Sequence, residues 1–272
     1  MTDLAPPPWS IVSGQPTEPL RQHVDRYDGY VERADDVLIR RESAGAFAVL
    51  ILGWGAPLDV TDPRAPGRGV TGVNSFVAGT FDSYAVTRTV GVGQGVELIL
   101  DPLVAGRLFG VPMRDLANRA VTLGDLSVPW LTDVPDRLAS ADGWQQRFAL
   151  LDAVLSARLA ATAPPDPRVA WAWRRLVTAH GRVAVGALAA ELGWSRRHFA
   201  ATFRRSVGMP PKTAARLLRF QRTVDLLSRP GRVDGWAGIA ATAGYFDQAH
   251  LIREVREFTG GTPTEVWPSG PA

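Results

Sequence analysis

The 272-residue sequence has no cysteine, four histidines and a single lysine, Lys212, among its 30 basic residues. Without cysteine the chain forms no disulfide framework, no thiolate metal site and no cysteine nucleophile. It contains no run of about 18 apolar residues, the minimum for a transmembrane helix. Its first residues, MTDLAPPPWS, lack the basic and then apolar pattern of a secretory signal. These absences favour a cytoplasmic protein that does not contact a membrane.

The charges are divided unevenly along the chain. Residues 1–165 hold 14 arginines and no lysine against 19 acidic residues, which gives a net charge of −5. Residues 166–272 hold 15 arginines and one lysine against 8 acidic residues, which gives +8. Such an asymmetry indicates two domains with different partners, and the basic one is suited to a polyanion. A solvated basic surface would produce the same charge count.

The first part of the chain is predicted to be rich in β-strands. Short apolar segments at 47–52, 83–90 and 95–100 are separated by Gly, Pro, Asp and Asn, and 59–69 is predicted to be a loop. Several short strands of this kind favour a β-barrel or sandwich. Short helices are predicted at 101–110 and 113–120.

A longer amphipathic helix is predicted at about 142–162, with Phe148, Leu151 and Leu155 in its apolar stripe. This stripe would serve equally well as a dimer seam or as a face that packs on the barrel. The segment APPDP at 163–167 then breaks the pattern, and almost everything after it is predicted to be helical. We therefore expect an α+β chain with an N-terminal β-barrel over 1–135, a connecting helix and linker over 136–165, and an all-α domain over 166–272.

The all-α part contains an internal repeat. LAAELGWSRRHFAATFRRSVG at 188–208 aligns with IAATAGYFDQAHLIREVREFTG at 239–260, with one extra residue in the second turn. Each copy consists of a short helix, a glycine turn and a longer helix, which is the order of a helix-turn-helix motif. Ser195 and Asp247 stand where an N-cap side chain would accept hydrogen bonds from the first turn of the longer helix.

The longer helix of each copy has one apolar side and one basic side. At 100° per residue, Arg253 lies about 200° and Arg256 about 140° from Leu251. In the first copy, Arg197, Ala201 and Arg204 lie in the same sector relative to Phe199, about 140–200° away. A small residue between arginines permits close approach to a DNA groove. The repetition of this sector favours DNA binding over two solvated helix faces.

A third helix is predicted between the two copies, over about 18 residues of PPKTAARLLRFQRTVDLLSRPG at 210–231. Proline at its start and Pro-Gly at its end are typical helix boundaries. Its length of roughly 27 Å would hold the two longer helices near one DNA turn apart. One chain could then read two successive major-groove segments.

These motifs resemble those of the AraC/XylS family of bacterial transcription regulators. The resemblance covers about 168–267, and it includes both repeat segments, the RFQR of the connecting helix and the spacing Gly208 to Pro211 and Gly260 to Pro263. It implies a double helix-turn-helix domain with the longer helix of each copy in the major groove. The family's base-contacting positions carry over to Arg197, Ala200, Ala201, Gln248, Ala249 and Arg253. Helix geometry adds Arg196, Arg204 and Arg256 as phosphate contacts.

The first part of the chain resembles the sensor domains of some family members less extensively. VELILDPLVAGRLFGVPMRDLANRAVTL at 96–123 is similar to the end of their cupin-like domains, which bind a small effector, dimerise, or do both. Trp54, Phe76, Phe81 and Tyr84 are candidate effector-binding residues, although each could simply pack in the core. A cupin metal enzyme needs clustered histidines, and residues 1–165 have only His23. We therefore expect no enzyme activity, no cofactor and no metal.

The resulting hypothesis is a sequence-specific DNA-binding transcription regulator controlled by a small effector in its N-terminal part. Its expected partner is double-stranded DNA; a small effector, a homodimer partner and RNA polymerase stay open as further partners. The alternative is an architectural or repressor protein that binds DNA without sensing an effector. Alkyl-transfer DNA repair on the same fold would need a cysteine acceptor, which this chain lacks.

Overall fold

The computed structural model describes residues 9–228 and 235–268, so the Pro-Gly pair at 230–231 that was expected to end the connecting helix lies outside the described residues. Eight strands form one antiparallel sheet. Their bounds are β1 Trp9–Gly14, β2 Val24–Glu42, β3 Ala48–Gly55, β4 Leu58–Thr61, β5 Val70–Val73, β6 Phe76–Ala78, β7 Ala85–Leu100 and β8 Ala120–Thr122.

The sheet is open, which corrects the prediction of a closed barrel. Its strand order is β1-β2-β7-β3-β6-β8, and β4 pairs with both β5 and β7. Among the described residues, β1 and β8 do not pair with each other, so the sheet keeps two edges. The two segments predicted as separate strands at 83–90 and 95–100 are one strand, β7. The predicted loop at 59–69 begins inside β4 and contains a 3₁₀ turn at Pro66–Arg68.

The two faces of the sheet have different environments because successive side chains of a strand point to opposite sides. Ala48, Leu50 and Leu52 of β3 are fully buried, and they pack in a core with the helices that follow the sheet. Val49 and Ile51 lie on the other face, which borders a second apolar cluster built around Phe76. The second face has no helix layer over it in residues 9–228 and 235–268, and it forms the wall of a cavity.

Helices cover one face of the sheet and form the whole second part of the described chain. The bounds of the helices are α1 Glu18–Arg21, α2 Pro102–Phe109, α3 Val134–Ser140, α4 Gly143–Ala160, α5 Pro167–Thr178, α6 Val185–Glu191, α7 Arg196–Val207, α8 Pro211–Leu227, α9 Gly235–Ala243, α10 Gln248–Thr259 and α11 Pro263–Val266. The helix predicted at 113–120 is only a 3₁₀ turn, Met113–Asp115, followed by β8, since Asn118 has a positive φ. No helix among those described is both long and apolar enough to span a membrane.

Helix α4 packs on its own sheet. Leu151, Leu155 and Leu159 are buried in the core behind β3, and Phe148 stacks on Tyr27 of β2 with ring centroids 5.7 Å apart. The Tyr27 hydroxyl donates a 2.8 Å hydrogen bond to Asp152 of α4. The apolar stripe is therefore covered within the chain, and this face is not available as a dimer seam.

Candidate nucleic-acid interface and ligand cavity

The first helix-turn-helix unit consists of α6, a turn at Gly193 and α7. Gly193 has φ +66°, a backbone conformation that glycine adopts without a steric penalty. The Ser195 side chain accepts a hydrogen bond from the backbone N–H of His198 at 3.2 Å, so the predicted N-cap is present. Phe199 and Phe203 of α7 are fully buried. Their rings lie 5.6 Å apart and hold α7 against the helical core.

The second unit repeats this arrangement with α9, a turn at Gly244 and α10. Gly244 has φ +92°, and the Asp247 carboxylate accepts a 2.6 Å hydrogen bond from the N–H of His250. Leu251, Val255 and Phe258 are fully buried on the inner side of α10. The two motifs therefore share the N-cap, the glycine turn and the buried face that the sequence repeat predicts.

The outer sides of α7 and α10 are basic and exposed. None of the arginines proposed to contact DNA from α7 and α10 forms an ion pair with an acidic residue in residues 9–228 and 235–268. Ala200 is half-buried, and the other eight candidate contact residues are exposed. Those eight are Arg196, Arg197, Ala201, Arg204, Gln248, Ala249, Arg253 and Arg256. The guanidinium groups are thus available to an external anion.

Helix α8 fixes the position of α10. The Arg216 guanidinium donates to Glu254 at 2.8 Å and to Glu257 at 2.5 and 3.1 Å, and the hydrogen bond to Glu257 is the main cause of its raised pKa. Glu254 is nearly fully buried and also pairs with Arg219 at 3.4 Å. Removing one partner of a buried ion pair costs more than the pair itself contributes. This cluster therefore anchors α10 to α8, and the sequence analysis did not predict it.

The C-terminal ends of α7 and α10 both contact the sheet part of the chain. The Ser83 hydroxyl donates to the carbonyl of Glu257 at 3.2 Å, and Arg41 donates to the carbonyl of Gly260 at 3.0 Å. At the end of α7, a Cβ added to Gly208 would lie 2.3 Å from Thr80 Oγ1. The backbone at the end of α7 thus lies directly against the sheet part.

A second junction joins α5 to the start of α2. The Trp173 indole donates a 2.5 Å hydrogen bond to Asp101, whose other oxygen accepts from the N–H of Leu103 and caps α2. Burial raises the pKa of Asp101, while these hydrogen bonds lower it. One half-buried carboxylate therefore bonds to both parts of the chain.

The free face of the sheet borders a half-open cavity of about 540 Å³. Its walls come from β1, β2, β3, β4, β6 and β7, and one end reaches Ser43 and Gly45 between β2 and β3. The lining is mostly apolar and aromatic, with a few charged side chains. Ligand pockets commonly have this size and composition.

The four aromatic residues predicted to bind an effector lie in three different places. Phe76 and Phe81 line the cavity. Trp54 is on the opposite face of β3, where its ring lies 6.3 Å from Trp144 and its indole donates to Gln94. Tyr84 lies against Gly260 at the end of α10, with the Arg41 guanidinium 5.8 Å from its ring centre.

Other cavity residues were missed by the sequence analysis. Tyr30, Arg40 and Glu97 all line the cavity. Glu97 lies within the apolar segment GVELIL, and a charged residue between buried Val96 and Leu98 was the available signal. A glutamate at such a position usually faces solvent, so the sequence pattern alone does not place Glu97 in a cavity. The pairing of the strands is needed to show it.

Comparison with known proteins agrees with this architecture. Residues 188–267 match a family described as a helix-turn-helix domain. No protein of curated function matches the chain.

Among solved structures, the chain is similar to ToxT of Vibrio cholerae in two forms. An apo lysine-to-alanine variant of ToxT has 12% identity and a TM-score of 0.50, with 96% of this chain and 97% of that one covered. Wild-type ToxT described as bound to an unsaturated fatty acid has 11% identity and a TM-score of 0.51, with 88% of this chain and 93% of that one covered.

The C-terminal helical part is therefore a DNA-binding helix-turn-helix domain. More particularly, this domain consists of two helix-turn-helix units joined by one long helix, the arrangement that the resemblance of the sequence to AraC-type regulators implies. At 11–12% identity, the likeness of the rest of the chain to ToxT shows the fold alone.

Proposed function

We propose that the chain is a sequence-specific transcription regulator that reads two successive major-groove segments with α7 and α10. One observation carries the proposal: both helices combine an N-cap, a fully buried inner face and an exposed basic outer face without ion-pair partners in the described chain. Surface arginines normally form their hydrogen bonds with solvent. Here, however, the same arrangement of exposed arginines occurs on equivalent sides of both helices. Because its partner would be DNA, the proposed place of action is the cytoplasm of a bacterial cell.

Within these helices we assign two roles. Arg197, Ala200 and Ala201 of α7, and Gln248, Ala249 and Arg253 of α10, would face base edges. Arginine binds guanine with two hydrogen bonds, and glutamine binds adenine in the same way. Arg196, Arg204 and Arg256 would contact phosphates, which adds affinity without sequence preference.

We propose further that the sheet part is a sensor whose cavity binds a small effector, with Phe76 and Phe81 in its lining. The cavity volume and the direct contacts of its rim with α10 support this role. ToxT, which shares the fold, is described with a bound unsaturated fatty acid. The proposed division is a sensor over 1–135, a connecting helix and linker over 136–165 and a DNA-binding domain over 166–272. A cupin-like origin of the sensor stays a prediction, as do a homodimer and contact with RNA polymerase.

The alternative is a DNA-binding architectural or repressor protein without an effector. A deep, partly charged cavity favours the sensor, because a purely structural sheet would gain stability from filling that space. Digestion of the full chain with and without a ligand would separate the two functions. A sensor is protected by its ligand, and an architectural protein has none.

The DNA-binding function is tested by selecting bound duplexes from a random pool with the full chain at a stated salt concentration. We expect an enriched site with two half-sites about one helical turn apart, roughly 10 base pairs. Binding to this site should weaken steeply as salt rises, because phosphate contacts release counterions. An unenriched pool would reject sequence-specific reading, and salt-insensitive binding would reject the assigned phosphate contacts.

A further inference from the structure

The cavity carries an excess of negative charge. Its charged lining residues are three carboxylates, Glu32, Glu42 and Glu97, and one guanidinium, Arg40, so the net charge is −2 when all are ionised. Arg40 donates two hydrogen bonds to Glu32, and its Nε lies 3.6 Å from Glu42. In the lining that the structure describes, the one cation is therefore already paired, and an anionic ligand would find no free positive charge.

Glu97 is the carboxylate without a partner. It lies in the C-terminal half of β7, directly opposite Asp28 of β2 on one side and Ile51 of β3 on the other. Within residues 9–228 and 235–268, no Arg, Lys or His nitrogen lies within 4.0 Å of its oxygens. The nearby Arg26 is engaged by Asp28 at 2.6 Å.

This position is costly for the folded chain. Directly opposed side chains of antiparallel strands share one face of the sheet, and like charges there are destabilising. Burial, with Glu42 and Asp28, raises the pKa of Glu97 above its usual range. A positive charge in the cavity would remove both the repulsion and the unpaired state.

Aromatic rings surround the same space. The rings of Trp9, Tyr30, Phe47, Phe76 and Phe81 line the cavity together with Glu97. The face of an aromatic ring attracts a cation, and more strongly when water is excluded. Apolar walls, ring faces and an unpaired carboxylate together favour a ligand that is both hydrophobic and positively charged.

We propose that the ligand of this cavity is an organic cation with an apolar body, and that Glu97 provides its counter-charge. The inference rests on the proposed sensor function of the cavity. A cavity of about 540 Å³ has room for a compact molecule of this kind. Carboxylate ligands of the same size are disfavoured, because they would meet Glu97 and find Arg40 occupied.

The test uses the full chain and three probes with one alkyl tail: decyltrimethylammonium and decanoate, each below its micelle concentration, and decanol below its solubility limit. Isothermal titration should show binding of the ammonium ion, and decanoate should bind at least about tenfold more weakly. Tenfold corresponds to about 1.4 kcal/mol.

Two variants make the test specific to Glu97. Glu97→Gln keeps the side-chain shape and should weaken ammonium binding about tenfold while leaving decanol unchanged. Asp25→Asn is the matched control, because it removes one negative charge from the same sheet at a side chain that is 88% exposed and outside the cavity. It should leave the affinity for all three probes unchanged.

Equal or tighter binding of decanoate, no binding of any probe, or an unchanged ammonium affinity in Glu97→Gln would overturn the inference. Gel shifts with the selected DNA on the same preparations keep the two proposals apart. A chain that binds DNA but does not prefer the cation retains its regulator function and loses only the cation site. A chain that prefers the cation but does not bind DNA retains the site and loses the regulator function.

Discussion

The backbone N–H of Ala44 donates a 2.8 Å hydrogen bond to the carbonyl oxygen of Phe258. Ala44 stands between Ser43 and Gly45, which both line the cavity, and Phe258 is in the last turn of α10. Gly45 is also bridged to Phe81, a second lining residue. The wall of the cavity and α10 are therefore in direct contact, so a ligand that moved this wall would also act on the position of α10.

Arg253 and Leu251 lie two residues apart on opposite sides of α10. Arg253→Ala should leave the melting temperature nearly unchanged and weaken specific DNA binding by roughly 1–3 kcal/mol if the arginine reads a base edge. Contact with phosphate alone would instead weaken binding to all sequences and make the salt slope shallower by about one. Leu251→Ala should destabilise the chain by about 2–5 kcal/mol, because this side chain is fully buried.

Both variants are measured by thermal unfolding and by gel shifts at several salt concentrations. If Arg253→Ala binds every duplex as the parent does, the outer side of α10 is only a solvated surface. The assignment of α10 as a recognition helix would then be wrong.

Glu97→Gln should stabilise the ligand-free chain at neutral pH. Burial raises the pKa of Glu97, so the folded state favours the protonated carboxyl, and its ionisation costs stability as the pH rises through that pKa. Each kcal/mol recovered should raise the melting temperature by about 2–4 °C in a chain of this size. The gain should disappear below the unperturbed glutamate pKa of about 4.3, where the parent residue is protonated in both states.

Thermal unfolding between acid and neutral pH measures this difference, with Asp25→Asn as the control for net charge. A gain that persists unchanged into acid would show that the glutamine acts through packing rather than through charge.

Alanine substitutions at two glycines with positive φ distinguish the cost of backbone strain from the cost of disturbing the contact between the two parts of the chain. Gly193→Ala meets no atom within 4 Å, so it should cost only the strain of a left-handed residue, about 1–2 kcal/mol. Gly208→Ala adds a Cβ 2.3 Å from Thr80 Oγ1 and 3.1 Å from the Met113 carbonyl, so α7 must move away from the sheet. Equal losses of unfolding free energy in the two variants would contradict a tight junction at α7.

The linker between α4 and α5 should be the preferred site of proteolysis at low protease concentration. Ala163 and Pro164 are exposed, but Arg107 donates to the carbonyls of Leu159 and Thr162 just before them. In the unsubstituted chain we expect the first cut close to residue 166. Arg107→Met should accelerate this cleavage, because it removes the hydrogen bonds that hold the start of the linker. Mass spectrometry of the first products locates the cut, and a first cut inside α5 or α4 would reject the proposed boundary.

The helical part was predictable because its signals are local. The caps at Ser195 and Asp247, the turn at Gly244 and the spacing of Leu251 and Val255 each depend on residues within one or two turns. Because the sequence contains two copies of the motif, each of these local patterns occurs twice, at equivalent positions. The paired outer arginines followed from the same arithmetic, although their contact with DNA stays a prediction.

The cavity was not predictable in the same way because it depends on strand pairing. Trp54 lies an odd number of positions from Ile51, so it falls on the other face of β3, and only the pairing shows which face borders the cavity. Glu97 and Asp28 are far apart in sequence, and their opposition appears only through the register of β2 and β7. The closed barrel was also wrong for this reason, since strand count does not determine whether the edges meet.

If the proposed function holds, the continuous helix α8, to which Arg216 fixes α10, would make the chain a bivalent reader of DNA. Once one helix-turn-helix unit has bound DNA, the second unit is confined to a small volume near its own half-site. Its effective concentration there is set by the spacer and not by the amount of protein. A rigid spacer confers this advantage only at one separation. Inserting about 5 base pairs between the half-sites would turn the second one to the far side of the duplex, and binding should fall to that of a single unit.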